Sequence, residues 1–192
     1  MATPTEDPST ELRLAAVAPS QSHSASESAS LVVHLFDELQ ARLARYILAF
    51  GLPLHDAEDI VQETFLSLFH HLERDRPRWN LNGWLFRVAH NLALKRRTSN
   101  RISSSDLDHE ALLAQHPDPR DNAEEQLSFD QTQRRLRAVF AALPEQDQRC
   151  LHLRAEGLKY REIAKVLGIS LGSVSTSLSR SLARMSRVVG GE

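Results

Sequence analysis

The stretch Tyr160-Arg161-Glu162-Ile163-Ala164-Lys165-Val166-Leu167-Gly168-Ile169-Ser170-Leu171-Gly172-Ser173-Val174 reads as a helix, a three-residue turn and a second helix. Ala164 is small where two crossing helices come close. Gly168 stands where the turn favours a left-handed backbone, which glycine adopts cheaply. Ser170 suits the N-cap of the second helix, and Ile163, Leu167, Ile169, Val174 and Leu178 supply a shared core. A unit of this kind places its second helix in the major groove of DNA; the plainer alternative is a helical hairpin that packs on its neighbours and binds nothing. The charges bear on that choice. Residues 80–101 hold five basic residues and no acid, 102–130 hold one against eight, and 131–192 hold eleven against five. The net charge of the 192-residue chain is only −2, which excludes a uniformly basic nucleic-acid binder. Two basic blocks separated by an acidic one suggest two nucleic-acid contact surfaces, with solvated helix faces as the alternative.

Other reactive residue types are sparse. Asp56, Asp59 and Glu63 lie three and four apart on one helical face with Gln62 beside them. Clustered carboxylates suit a hard cation, but neither loop geometry nor a further oxygen ligand supports one here. His70 and His71 are adjacent and project about 100° apart on a helix, too divergent for one ion. No two histidines stand four residues apart. Cys150 is the only cysteine, which excludes an internal disulfide, and it sits on a periodic apolar face where a small buried hydrophobe is the default. There is no phosphate-binding loop. The chain is not expected to be an enzyme, nor to need a metal, a cofactor or a small-molecule substrate.

The elements that must position these residues are all helical. Residues 1–30 alternate serine with small or polar residues and are expected to be disordered. Leu31, Leu35, Leu39, Leu43 and Ile47 then mark a helix that stops at Gly51. Asp56, Glu58 and Asp59 open a second helix, whose apolar stripe is Ile60, Val61, Phe65, Leu68, Phe69 and Leu72. A third runs from about Leu81 to Arg97, with Leu81, Trp84, Leu85, Val88 and Leu92 inward and Arg87, His90 and Arg97 opposite. Phe86 and Leu94 fall outward, so this helix should meet a second neighbour. Residues 102–122 read as an acidic, proline-containing linker. Periodicity returns from about Ala123 through Leu143, and a helix starting at Pro144 carries Cys150 to a stop at Gly157. The expected fold is all-α: two small helical domains, 31–101 and 123–188, joined by an acidic flexible linker, the second holding the helix-turn-helix. The longest uncharged run, Val166 to Ser179, is too short and polar to span a bilayer, and the N-terminus lacks the pattern of a secretory signal. No membrane contact is expected, and the location should be cytoplasmic.

Two groups of motifs resemble one family. Leu143-Pro144-Glu145, Arg149-Cys150-Leu151 and Gly157-Leu158-Lys159-Tyr160-Arg161-Glu162-Ile163-Ala164 are similar to the C-terminal promoter-reading domain of bacterial sigma factors. Asp56 to Leu66 resembles the region by which sigma factors grip core RNA polymerase, and Gly83 to Ala93 the segment that opens the −10 element. The short linker leaves no room for the intermediate domain of housekeeping sigma factors, so the chain resembles the extracytoplasmic-function (ECF) group. The resemblance implies promoter-specific transcription initiation, with core RNA polymerase and promoter DNA as partners. It also admits an anti-sigma factor, which the residues do not identify. It implies that Asp56, Asp59, Gln62 and Glu63 dock on a helical coiled coil of the largest polymerase subunit. Trp79-Asn80 would lie in the loop that captures a flipped −10 base, with Arg87, Asn91, Lys95, Arg96 and Arg97 following on the exposed strand. The acidic linker would thread polymerase channels.

One departure from the family pattern stands out. Its recognition helix carries a basic residue soon after the start, whereas this chain reads Ser173-Val174-Ser175-Thr176-Ser177-Leu178-Ser179-Arg180. With Leu171, Val174, Leu178, Leu182 and Met185 inward, Ser173, Thr176, Arg180 and Arg184 face the −35 element with Ser177 at the edge. Of the N-terminal residues that enter the groove, only Arg180 can then pair bidentately with guanine. Two other readings compete: a stand-alone helix-turn-helix regulator, which would footprint DNA without polymerase, and a helical adaptor, which would support no promoter-dependent transcription.

Overall fold

A computed structural model describes residues 19–74, 77–103 and 123–189. Helices α1 (Pro19–Leu48), α2 (Leu54–Glu73) and α3 (Leu81–Ser103) pack on one another. Helices α4 (Ala123–Ala141), α5 (Glu145–Ala155), α6 (Tyr160–Leu167) and α7 (Leu171–Val189) form a second group around α7. No strand occurs among the described residues. The all-α expectation therefore holds. The acidic stretch 104–122 lies outside the described residues, as do residues 1–18.

The first helix begins twelve residues ahead of the expected start at Leu31. Residues 19–30 are helical, and Ser28 is buried, so this part of the tail is not the disordered segment its composition suggested. The reason is local. From Ser20 to Phe50 there is no glycine or proline, so a helix nucleated by the apolar residues propagates backward cheaply. It ends at Pro19, whose missing amide donor is no loss in the first turn.

Leu39, Leu43 and Ile47 of α1 meet Ile60, Leu68 and Leu72 of α2 and Leu85 and Phe86 of α3, all at most 1% exposed. The face that α3 buries is broader than its apolar stripe, because α1, α2 and α6 all pack against it. Phe86, Ala89 and Ala93 are fully enclosed, and His90, expected outward, is buried. Its Nδ1 lies 2.7 Å from Tyr46 Oη, the tyrosine hydroxyl donating to a neutral imidazole. Burial first, and the nearby Arg149 cation second, push His90 down to about 4. The second expected neighbour of α3 is present: Phe86 faces Tyr46 of α1 with ring centroids 5.7 Å apart.

Candidate polymerase and nucleic-acid interfaces

Leu143-Pro144 closes the turn after α4, and α5 starts on the Pro144 carbonyl. α6 ends at Gly168, whose φ of 67° is the left-handed value the motif requires. The Ser170 hydroxyl then accepts the Ser173 amide proton at 3.0 Å, capping α7 as its sequence suggested. Ile163, Val174 and Leu178 are essentially buried, with Ala164, Leu167 and Ile169 packed against them. The helix-turn-helix is therefore built as expected, but α7 sits rotated. Its buried side is Val174, Ser177, Leu178 and Ser181, while Leu171 and Leu182 are 46% and 54% exposed. Leu171 and Leu182 were expected inward. The difference is about 50° at 100° per residue. Serine at 177 and 181 lets α7 approach its neighbours closely, so small hydroxyls occupy sites where an apolar stripe would predict leucine.

This rotation changes the assignment of the −35 residues. Ser177 is 2% exposed, lies 3.4 Å from Gln146 Nε2, and cannot enter a groove. Arg180 is bound bidentately by Asp147 of α5, with contacts of 3.0, 2.9 and 2.7 Å, and Asp147 is 1% exposed. The guanidinium expected to read guanine is thus already matched by a buried carboxylate. Ser173 is half-buried and bonded to Ser170. Thr176 and Arg184 remain exposed.

The −10 residues separate in the same way. Trp79 is 70% exposed and Asn80 takes φ 56°, with its side chain folded over Gly83. A cavity of about 700 Å³ joins Trp79, Asn80 and Arg87 to His70, His71 and Trp84. His71 lies against Trp84 with ring centroids 4.7 Å apart and planes tilted by 41°, and donates through Nε2 to the Pro77 carbonyl at 3.2 Å, fixing the loop. Arg87, Asn91 and Lys95 follow one another at four-residue steps and are all exposed. Arg96, nine residues after Arg87, lies on the other side of α3 and pairs with Asp56. Arg97 pairs with Glu145 of α5, and Arg97 and Arg149 together hold that carboxyl below its usual range.

The acidic set on α2 also divides. Asp56 is 4% exposed and accepts from Arg96 and, at 2.8 Å, from Asn100 Nδ2. It is an inward tie between α2 and α3, not part of a docking strip. Asp59, Gln62 and Glu63 are exposed. Residues that pattern alone did not single out are Asp147, Glu162 and Lys165; the last two line the same cavity as Trp79. Asp147 and Arg180 stand 33 residues apart, a separation at which no helical spacing signals a pair. Among the described residues no group of three His, Cys, Asp or Glu could hold a metal ion, and no helix is long and apolar enough to cross a membrane.

Residues 35–102 match the Sigma-70 region 2 family and residues 133–185 match Sigma-70, region 4. The chain belongs to the ECF branch of the sigma-70 family. As a sigma factor it directs promoter-specific initiation of transcription, and the family is not an enzyme family. It is 34% identical to the ECF RNA polymerase sigma factor SigE of Mycolicibacterium smegmatis over 142 residues. That match covers 70% of this chain and 53% of the relative, so this chain spans about half of that protein's length. RNA polymerase sigma factor CnrH of Cupriavidus metallidurans is 26% identical over 86% of this chain and 92% of its own. A solved structure of CnrH with the cytosolic domain of CnrY superposes with a TM-score of 0.55 and 24% identity, over 90% of this chain and 96% of that one.

Proposed function

We infer that the sigma factor docks on core RNA polymerase through the exposed strip Asp59, Gln62 and Glu63 of α2. The loop at Trp79 and Asn80 and the cations Arg87 and Lys95, with Asn91 between them, hold the displaced −10 strand. α7 enters the −35 major groove with Thr176 and Arg184, and Ser173 supports its N-terminus. Arg96 positions α3 through Asp56, and Arg97 joins the −10 surface once freed from Glu145. The observation that carries this reading is the order of two differently built surfaces. A loop with an exposed tryptophan opens a helix bearing a strip of cations, and an intact helix-turn-helix follows. Stacking and charge suit a single strand, whereas a groove-sized helix suits a duplex. The domains we assign are 31–101 and 123–188, with the acidic stretch between them threading the polymerase.

The protein acts without catalytic residues of its own, in the cytoplasm, where core polymerase is found. CnrH has been solved with the cytosolic domain of CnrY, and a regulator of the anti-sigma class is inferred for this chain as well. Run-off transcription with purified core polymerase over a promoter library tests the assignment. Transcripts should start at a common promoter class only when the chain is added. A footprint by the chain alone, with no transcript, would favour a stand-alone regulator.

A further inference from the structure

Between the starts of α6 and α7 lies an open groove of about 600 Å³ with mainly apolar walls. Tyr160, 39% exposed, and Leu171, 46% exposed, both line it, together with Gly172 and Ser175. A Cβ on Gly172 would meet only Ser170 Oγ, at 3.8 Å, so the space beside Leu171 is unfilled. Lys159 and Arg161 stand exposed on the same groove. Glu162 turns its carboxylate back to accept the Lys159 main-chain amide at 2.7 Å, which occupies it in capping α6 and leaves the rim positive. Gly172 and Thr176 are one turn apart on the same side of α7, so the groove continues the surface assigned above to the −35 duplex.

A single exposed leucine is ordinary on a protein surface. One at the opening of a recognition helix, under a positive rim, stands where base edges arrive. Of the groups that bases display in the major groove, only the thymine C5-methyl is apolar. We propose that Leu171, with the Tyr160 ring, closes on a thymine methyl of the −35 element while Lys159 and Arg161 meet the flanking phosphates. Leu171 is thereby a specificity-determining residue for one T·A pair. The inference rests on the −35 assignment above. It supplies discrimination that the rest of α7 lacks, because hydroxyls bond to many base edges and Arg180 is held by Asp147. Cytosine carries only hydrogen where thymine carries the methyl, so an apolar contact there separates the two pyrimidines.

The test uses the full chain assembled with core polymerase, on a promoter that the run-off library returns. Each thymine of its −35 element is replaced in turn by deoxyuridine, which pairs alike but lacks the methyl, and promoter binding is measured by competition. Wild type should bind about fourfold less tightly when one particular thymine is replaced, in keeping with the burial of a single methyl group. Leu171→Ala should bind thymine DNA more weakly by about that factor and show no response to deoxyuridine at that position. Leu171→Met, which keeps an apolar side chain, should retain the response. Both variants should melt with wild type, since Leu171 is half-exposed. A −35 element without any A·T pair, a wild type indifferent to every deoxyuridine, or a Leu171→Ala that keeps the wild-type response would overturn the role of Leu171. The two proteins should bind alike once every thymine of the element is deoxyuridine; a remaining loss in Leu171→Ala would mean that polymerase fills the groove, and would overturn the proposal. Initiation that ignores the whole −35 sequence would overturn the placing of α7 itself, whereas dependence on the sequence without dependence on a methyl overturns Leu171 alone.

Discussion

Each half of the molecule buries one aspartate and uses it to hold an arginine, yet the two pairs leave different surfaces behind. In the N-terminal half Asp56 takes Arg96 from the far side of α3, and the near side keeps Arg87 and Lys95 exposed. In the C-terminal half Asp147 takes Arg180 from the flank of the recognition helix itself, leaving hydroxyls and Arg184. One pair braces a cationic face without weakening it. The other braces the reading helix at the expense of its central cation. The N-terminal half should therefore bind by charge and stacking, and the C-terminal half by shape and hydroxyl contacts.

The largest expected effect tests the division of the α2 carboxylates. Reversing the exposed Asp59 and Glu63 to lysine should abolish co-purification with core polymerase while stability stays within about 0.5 kcal/mol, as for most solvated helix positions. Asp56→Lys should instead lower the melting temperature, because it sets a cation against Arg96. If all three variants melt alike, Asp56 is not the brace described above.

The two braces should also differ when the arginine is removed. Arg180→Ala strands a carboxylate that is 1% exposed, and should cost about 3 kcal/mol in urea unfolding. Arg96→Ala leaves Asp56 with Asn100 Nδ2 at 2.8 Å, and should cost about 1 kcal/mol. Equal losses would mean that the pairs are equivalent and the comparison fails.

A pH series separates the halves further. His90 sits at about 4 in the fold, against about 6.5 in an unfolded chain. The unfolded state thus binds the extra proton first as pH falls. The contribution of His90 is complete above pH 6.5, is lost progressively toward pH 4, and changes no further below that. We expect a loss of about 2 kcal/mol across that window, allowing for partial solvent screening. His90→Gln should flatten it. His152 in α5 is lowered by burial in the same direction and should leave a smaller residual slope. A slope untouched by His90→Gln would move the titration elsewhere.

The sequence made the helices from residue 31 onward legible because apolar spacing and the stops at Gly51, Gly157 and Gly168 are local signals. All three glycines take positive φ, as a stop of this kind requires. The helix-turn-helix was legible for the same reason. What was missed is non-local. Asp56 looked like a member of an exposed strip because its partners Arg96 and Asn100 lie 40 and 44 residues away. Ser177 was placed at the edge of the outward side because hydroxyls are usually solvated, yet close helix packing buries it, and Ser181 beside it. His90 looked outward because its partners Tyr46 and Phe50 come from the end of α1, some 40 residues earlier in the chain.

The smallest effect decides which cations of α7 meet DNA. Each phosphate neutralised on a duplex contributes about 0.9 to the slope of log affinity against log salt. Arg184 is exposed and should contribute one such unit, so Arg184→Ala should flatten the slope by about 0.9 and weaken all duplexes alike. Arg180 is matched by Asp147, so Arg180→Ala, measured in the cold where the variant stays folded, should leave both slope and base preference unchanged. Thr176→Val should shift preference at one base pair without touching the slope, since a hydroxyl carries no counterion. These outcomes separate two arrangements of one helix. If Arg180→Ala flattens the slope as much as Arg184→Ala does, the guanidinium leaves Asp147 when DNA arrives, and the C-terminal half reads by charge after all.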